Sequence, residues 1–74
     1  MITIDMKATG LNIKSIMKSK GMKVSEVQNT MGFNNPQSIF KWMRGDSMPT
    51  IDNMVILADL LGVTIDQIVV TTKM

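Results

Sequence analysis

The chain has 74 residues, no cysteine, no histidine, 45% apolar residues and a net charge of +2. This bounds it to one domain, 1–74, with a modest core, and excludes disulfide staples, thiolate or imidazole metal sites and His–Ser or Cys–His catalytic pairs. No apolar run approaches the roughly 20 residues of a membrane span, and no basic region followed by a long apolar core marks a secretory signal.

Ile2-Thr3-Ile4 opens the chain as a β-branched run, and Val69-Val70-Thr71-Thr72 repeats that pattern near the other end. Both suit short strands, paired within one chain or across a dimer, or else frayed ends. Residues 6–19 read as a first helix. Met6, Ile13, Ile16 and Met17 share its apolar side, Asp5 is the N-cap and Gly21 the stop. Lys7, Lys14 and Lys18 lie on the opposite side. Gly10, unfavourable inside a helix by about 1 kcal/mol against alanine, reads as a point of close packing or as a sign that the helix starts later, at Thr9.

Residues 24–31 read as a second helix, with Ser25 and Gln28 in capping-box spacing and Val24, Val27 and Met31 as its buried stripe. Gly32 ends it in a left-handed conformation, and Phe33 is the apolar plug beneath the turn. Residues 36–44 read as a third helix, with Asn35 as N-cap and Pro36 at the first position. Ile39 and Trp42 face its core side, and Gly45 ends it. A fourth helix spans 51–61, capped by Thr50, with Met54, Leu57, Ala58 and Leu61 as a core stripe. Thr64 and Gln67 form another capping box, opening a short fifth helix to about Val69. Met17, Met31, Met43 and Met54 are read as core fillers.

Two short helices joined by a glycine turn can present the second to the major groove of DNA. On the third helix, Gln37, Ser38 and Lys41 sit together away from the core. Glutamine can pair bidentately with adenine, and lysine can reach guanine O6 and N7. A solvated helix face is the plainer alternative. Asn34, Asn35, Arg44, Ser47 and Lys23 flank this strip as candidate phosphate ligands, and helix N-termini add amide donors. Lys20 also borders the second helix. Phe40 is read as packing against a neighbouring helix rather than meeting a thymine methyl or a sugar.

Charge is lopsided. Residues 1–45 carry seven basic groups against Asp5 and Glu26, a net +5; residues 46–74 carry Lys73 against Asp46, Asp52, Asp59 and Asp66, a net −3. This suits a basic end turned to a polyanion, although scattered solvated lysines are common. On the fourth helix, Ile56 and Leu60 share a side distinct from the core stripe, and an apolar second side on a small domain suits a dimer interface. Catalysis finds no support: Glu26 is the sole glutamate, the late aspartates sit at helix starts or turns, and no Gly-rich phosphate loop precedes a lysine. The chain is read as no enzyme, with no cofactor and no small-molecule substrate.

The pattern resembles the Cro/repressor-type helix-turn-helix family, also called the xenobiotic-response-element type. The likeness runs over about residues 8–70. It rests above all on Ile39-x-x-Trp42-x-x-Gly45 followed by Pro49-Thr50-x-x-Asn53-x-Val55-x-Leu57-Ala58-x-Leu60-Leu61-Gly62-Val63. The resemblance implies an all-α, five-helix lambda-repressor-like domain that represses transcription as a dimer on palindromic duplex DNA, in the cytoplasm. It assigns 24–31 as positioning helix and 36–44 as recognition helix, with Gln37, Ser38 and Lys41 at base-reading positions. The chain departs from the family in three places. Gln28 stands where alanine is common, and Val24 where a phosphate-bracing glutamine is frequent. The interval from Gly32 to Ile39 is one residue longer than usual, which can shift the base-facing side chains by about one position. The alternative reading is a protein-interaction module, such as an antitoxin or a regulator's partner.

Overall fold

The computed structural model describes residues 1–73. In chain order the elements are β1 (Ile2–Ile4), α1 (Met6–Ser19), α2 (Val24–Met31), α3 (Gln37–Arg44), α4 (Ile51–Leu61), α5 (Ile65–Ile68) and β2 (Thr71–Lys73). All five expected helices are present. The two β-branched ends pair with each other within the chain as an antiparallel ribbon, Ile2 opposite Lys73 and Ile4 opposite Thr71.

Helical spacing builds the core. Ile13 and Met17 of α1, Val27 of α2, Ile39 and Trp42 of α3, Met54, Leu57, Ala58 and Leu61 of α4 and Ile68 of α5 form one buried cluster. Met31 and Met43 pack partly against it. Met6 departs from the expected stripe and is exposed. The buried side of α1 begins one turn later, at Thr9 and Gly10.

Gly10 is where α1 and α3 meet. A methyl group there would lie 2.7 Å from the carbonyl oxygen of Met43 and closer still to that of Trp42. Only a residue without a side chain allows this approach, so close packing, not a late helix start, explains the glycine. Asp5 caps α1 as expected, its Oδ1 accepting the Ala8 N–H at 2.9 Å.

A polar seam ties α1 to the far end of the chain. Asp5, Thr9 and Asn12 follow helical spacing along one side of α1. The Asp5 N–H donates to the Val70 carbonyl at 2.8 Å, and the Val70 N–H donates to Thr9 Oγ1 at 2.9 Å. The Asn12 amide donates to the carbonyls of Gln67 and Ile68 at 2.7 and 2.9 Å. These bonds satisfy backbone groups at the end of α5 that the helix itself leaves open.

Three helix starts differ from expectation. For α2, the Ser25–Gln28 box does not form; the N-cap is Lys23, whose backbone N–H donates to Glu26 Oε1 at 3.1 Å. The nearby carboxylate is the stronger acceptor, and Gln28 is engaged elsewhere. For α3, the regular helix begins at Gln37, with Asn35 Oδ1 accepting the Gln37 N–H at 3.0 Å. For α4, Thr50 is the cap residue, but its hydroxyl donates to Asp52 Oδ1 instead of accepting from the backbone. The Thr64–Gln67 box at α5 forms in both directions.

Candidate nucleic-acid interface

The α2–α3 turn is closed by side chains from both sides. Gly32 sits at φ +73°, a left-handed conformation that a Cβ disfavours. Phe33 follows it and packs edge-on against Trp42, ring centroids 5.8 Å apart and planes at 70°. Gln28 closes the end of α2: its carbonyl accepts the Phe33 N–H at 3.0 Å, and its side-chain amide donates to the Phe33 carbonyl at 3.3 Å. Gln28 thus fixes the first residue after Gly32. Val24 packs partly against the core.

From this turn α3 runs with Ile39 and Trp42 buried. Burying side chains of this size contributes about 1.5–3 kcal/mol each and fixes the helix in rotation. Gln37, Ser38, Lys41 and Arg44 are consequently all exposed. Gln37, Lys41 and Arg44 line one open depression together with Phe40. Phe40 borders the α1–α3 depression with Leu11 and Met43 yet stays 40% exposed, because α1 meets α3 through Gly10 and the backbone of Trp42 and Met43, beside it.

Among the flanking candidates, Asn34, Asn35 and Lys23 are exposed and Ser47 is half-buried. The side-chain oxygen of Asn35 is engaged in the α3 cap. Arg44 Nε donates to Asp46 Oδ2 at 2.9 Å, with both side chains largely in water. Such a surface pair is worth about 0–1 kcal/mol, so it holds Arg44 only loosely.

The lysines of α1 join this surface. Lys7 and Lys14 line one depression with Phe40 and Arg44, and Lys14, Lys18 and Lys23 line the next. Lys7, Lys14 and Arg44 thus border one depression beside α3, which Asp46 also lines, while Lys20 lies apart near Gly62. Spacing places Lys7, Lys14 and Lys18 on the outer side of α1; that Lys7 and Lys14 share a depression with Arg44 arises from the α1–α3 crossing and carries no local signal.

On α4, Ile56 is 43% exposed, while Leu60 packs partly against the core. Ile51 and Val55, 74% and 54% exposed, form a separate apolar pair: at about 100° per residue they lie on the other flank of the core stripe, with Asp52 and Asp59 between them and Ile56. This pair was not singled out from sequence, and its i, i+4 spacing was the available signal.

A family model for the helix-turn-helix matches residues 13–68. The chain belongs to the Cro/C1-type helix-turn-helix family. Helix-turn-helix domains of this type bind double-stranded DNA, and the protein is a DNA-binding transcription regulator. The same fold is found in the restriction-modification controller protein C.AhdI from Aeromonas hydrophila, at 17% identity and TM-score 0.77, over 86% of this chain and 96% of that one. It is also found in the DNA-binding domain of BldD, at 21% identity and TM-score 0.73, over 88% of this chain and 93% of that one. The S. venezulae BldD DNA-binding domain shares it at 22% identity and TM-score 0.71, over 86% and 94%. No curated protein sequence matches this helix-turn-helix chain. No helix among the described residues is long and apolar enough to cross a membrane.

Proposed function

We propose that the protein, a single helix-turn-helix domain acting in the cytoplasm, recognises a specific duplex DNA sequence as a homodimer and represses transcription by occupying it. The observation that carries this is the orientation of α3. Ile39 and Trp42 anchor it while Gln37, Ser38 and Lys41 are all exposed. In the major groove Gln37 pairs with adenine, Lys41 reaches guanine O6 and N7, and Ser38 bonds either kind of base edge. Asn34, Asn35, Arg44, Ser47 and Lys23 hold phosphates and set the register. The lysines of α1 add sequence-independent, salt-sensitive attraction.

Dimerisation is assigned to α4, through Ile56 and the outer part of Leu60. Two copies then place their α3 helices in major grooves one helical turn apart, or a multiple of it.

Selection of bound duplexes from a random pool, followed by titration at low and moderate salt, tests the proposal. An enriched motif with two symmetric half-sites, bound less tightly as salt rises, is expected. A pool without enrichment, or binding indifferent to salt, overturns it. The exposed apolar side of α4 also favours a second reading, a module that binds another protein; there α4 engages a different chain in place of a second copy, and DNA binding need not be lost.

A further inference from the structure

We infer that Phe40 sets sequence specificity by packing against the 5-methyl group of a thymine in the major groove, an inference that rests on the DNA-binding reading above. Gln37, Phe40, Lys41 and Arg44 follow i, i+3, i+4, i+7 spacing and line one open depression. The phenyl ring is the apolar member of that wall and remains 40% exposed. A phenyl ring in water is unfavourable and gains by finding an apolar partner. Of the groups the major groove presents, the thymine methyl is the apolar one, and phenylalanine is among the side chains that contact it.

The spacing agrees. Residues three apart on a helix have Cβ atoms about 5–6 Å apart, and base pairs stack at about 3.4 Å. Phe40 therefore reaches a base pair one or two steps from the one Gln37 reads. The ring also borders the α1–α3 groove beside Leu11 and Met43, so packing across that groove is the competing role that the experiment must separate.

The test is a double-mutant cycle on the duplex selected by the wild-type protein. Each thymine is replaced in turn by uracil, which lacks only the methyl group, and affinity is measured for the wild type and for Phe40→Ala. One replacement, one or two steps from the adenine assigned to Gln37, is expected to weaken the wild type about fourfold, the size of one buried methyl. The same replacement leaves Phe40→Ala unchanged. If every thymine replacement affects both proteins equally, or affects neither, Phe40 reads no methyl and the inference falls while DNA binding stands. If the pool yields no bound duplex, the DNA-binding reading falls and takes this inference with it. Circular dichroism melting accompanies each variant. Should Phe40→Ala melt early, Phe40→Gln, of similar reach with a polar tip, gives the same comparison.

Discussion

Gln28 brackets Phe33 at the start of the α2–α3 turn, accepting its N–H at 3.0 Å through the backbone and donating to its carbonyl at 3.3 Å through the side chain. The second bond is the one a mutation can remove alone. Gln28→Ala gains slightly in helix propensity but leaves the Phe33 carbonyl without this donor, and such a bond is worth about 0.5–1.5 kcal/mol net. Denaturant titration should show a net loss of about 1 kcal/mol or less. A stability equal to or above wild type removes Gln28 as the brace of Phe33.

Gly10→Ala sets two effects against each other. Alanine improves helix propensity by about 1 kcal/mol. Its methyl, however, would collide with the carbonyls of Trp42 and Met43, and forcing extra atoms into packed backbone costs about 1–3 kcal/mol. The steric term is the larger, so the melting temperature should fall. DNA affinity should fall with it, because α1 can separate only by displacing α3.

Lys41→Ala and Lys14→Ala should differ in kind. The first weakens binding and relaxes preference at one base position, by about 1–3 kcal/mol of discrimination. The second weakens binding to all duplexes alike and lowers the salt slope by about one. Affinity profiles over variant duplexes at several salt concentrations distinguish them. A Lys41→Ala profile parallel to wild type removes Lys41 from the base-reading set.

Ile56→Asp should give a folded monomer. Ile56 is exposed, whereas Leu60 packs partly on the core, so a charge at Leu60 would disturb folding as well as association. Sedimentation equilibrium reads the outcome directly. A dimer that survives Ile56→Asp moves the interface away from this side of α4.

Asp52 has a carboxyl held below its ordinary value of 3.8, first by the Thr50 hydroxyl and then by the Asn53 backbone N–H. A depressed folded value means that the contribution to stability is present above the ordinary value and is lost as pH falls through the folded one. In Thr50→Val the Asp52 midpoint, followed by carboxyl-carbon NMR, should rise toward 3.8. An unmoved midpoint shows that the backbone N–H groups of Asn53 and Asp52 act without the hydroxyl.

Periodic features were readable from sequence. The Ile39–Trp42 pair, the Met54–Leu61 stripe and the turn glycine at Gly32 each rest on spacing within a few residues, where local geometry and burial agree. Caps were less secure because several polar groups compete for the same backbone donors, and Glu26 engaged the α2 start in place of the Ser25–Gln28 box. Thr9 and Asn12 were not legible at all. Their partners lie 61 and 55–56 residues away, and no periodicity links residues at that separation. The same holds for Lys7 and Lys14, which share a depression with Arg44 only because two helices cross.

The seam from Asp5 to Asn12 has a bearing on how the molecule assembles. The partners of α1 lie more than fifty residues further along the chain. Such distant closure slows the search for the native state, but once made it joins both extremities in a single cooperative unit. Amide exchange in α1 and in residues 67–70 should therefore report the same opening event.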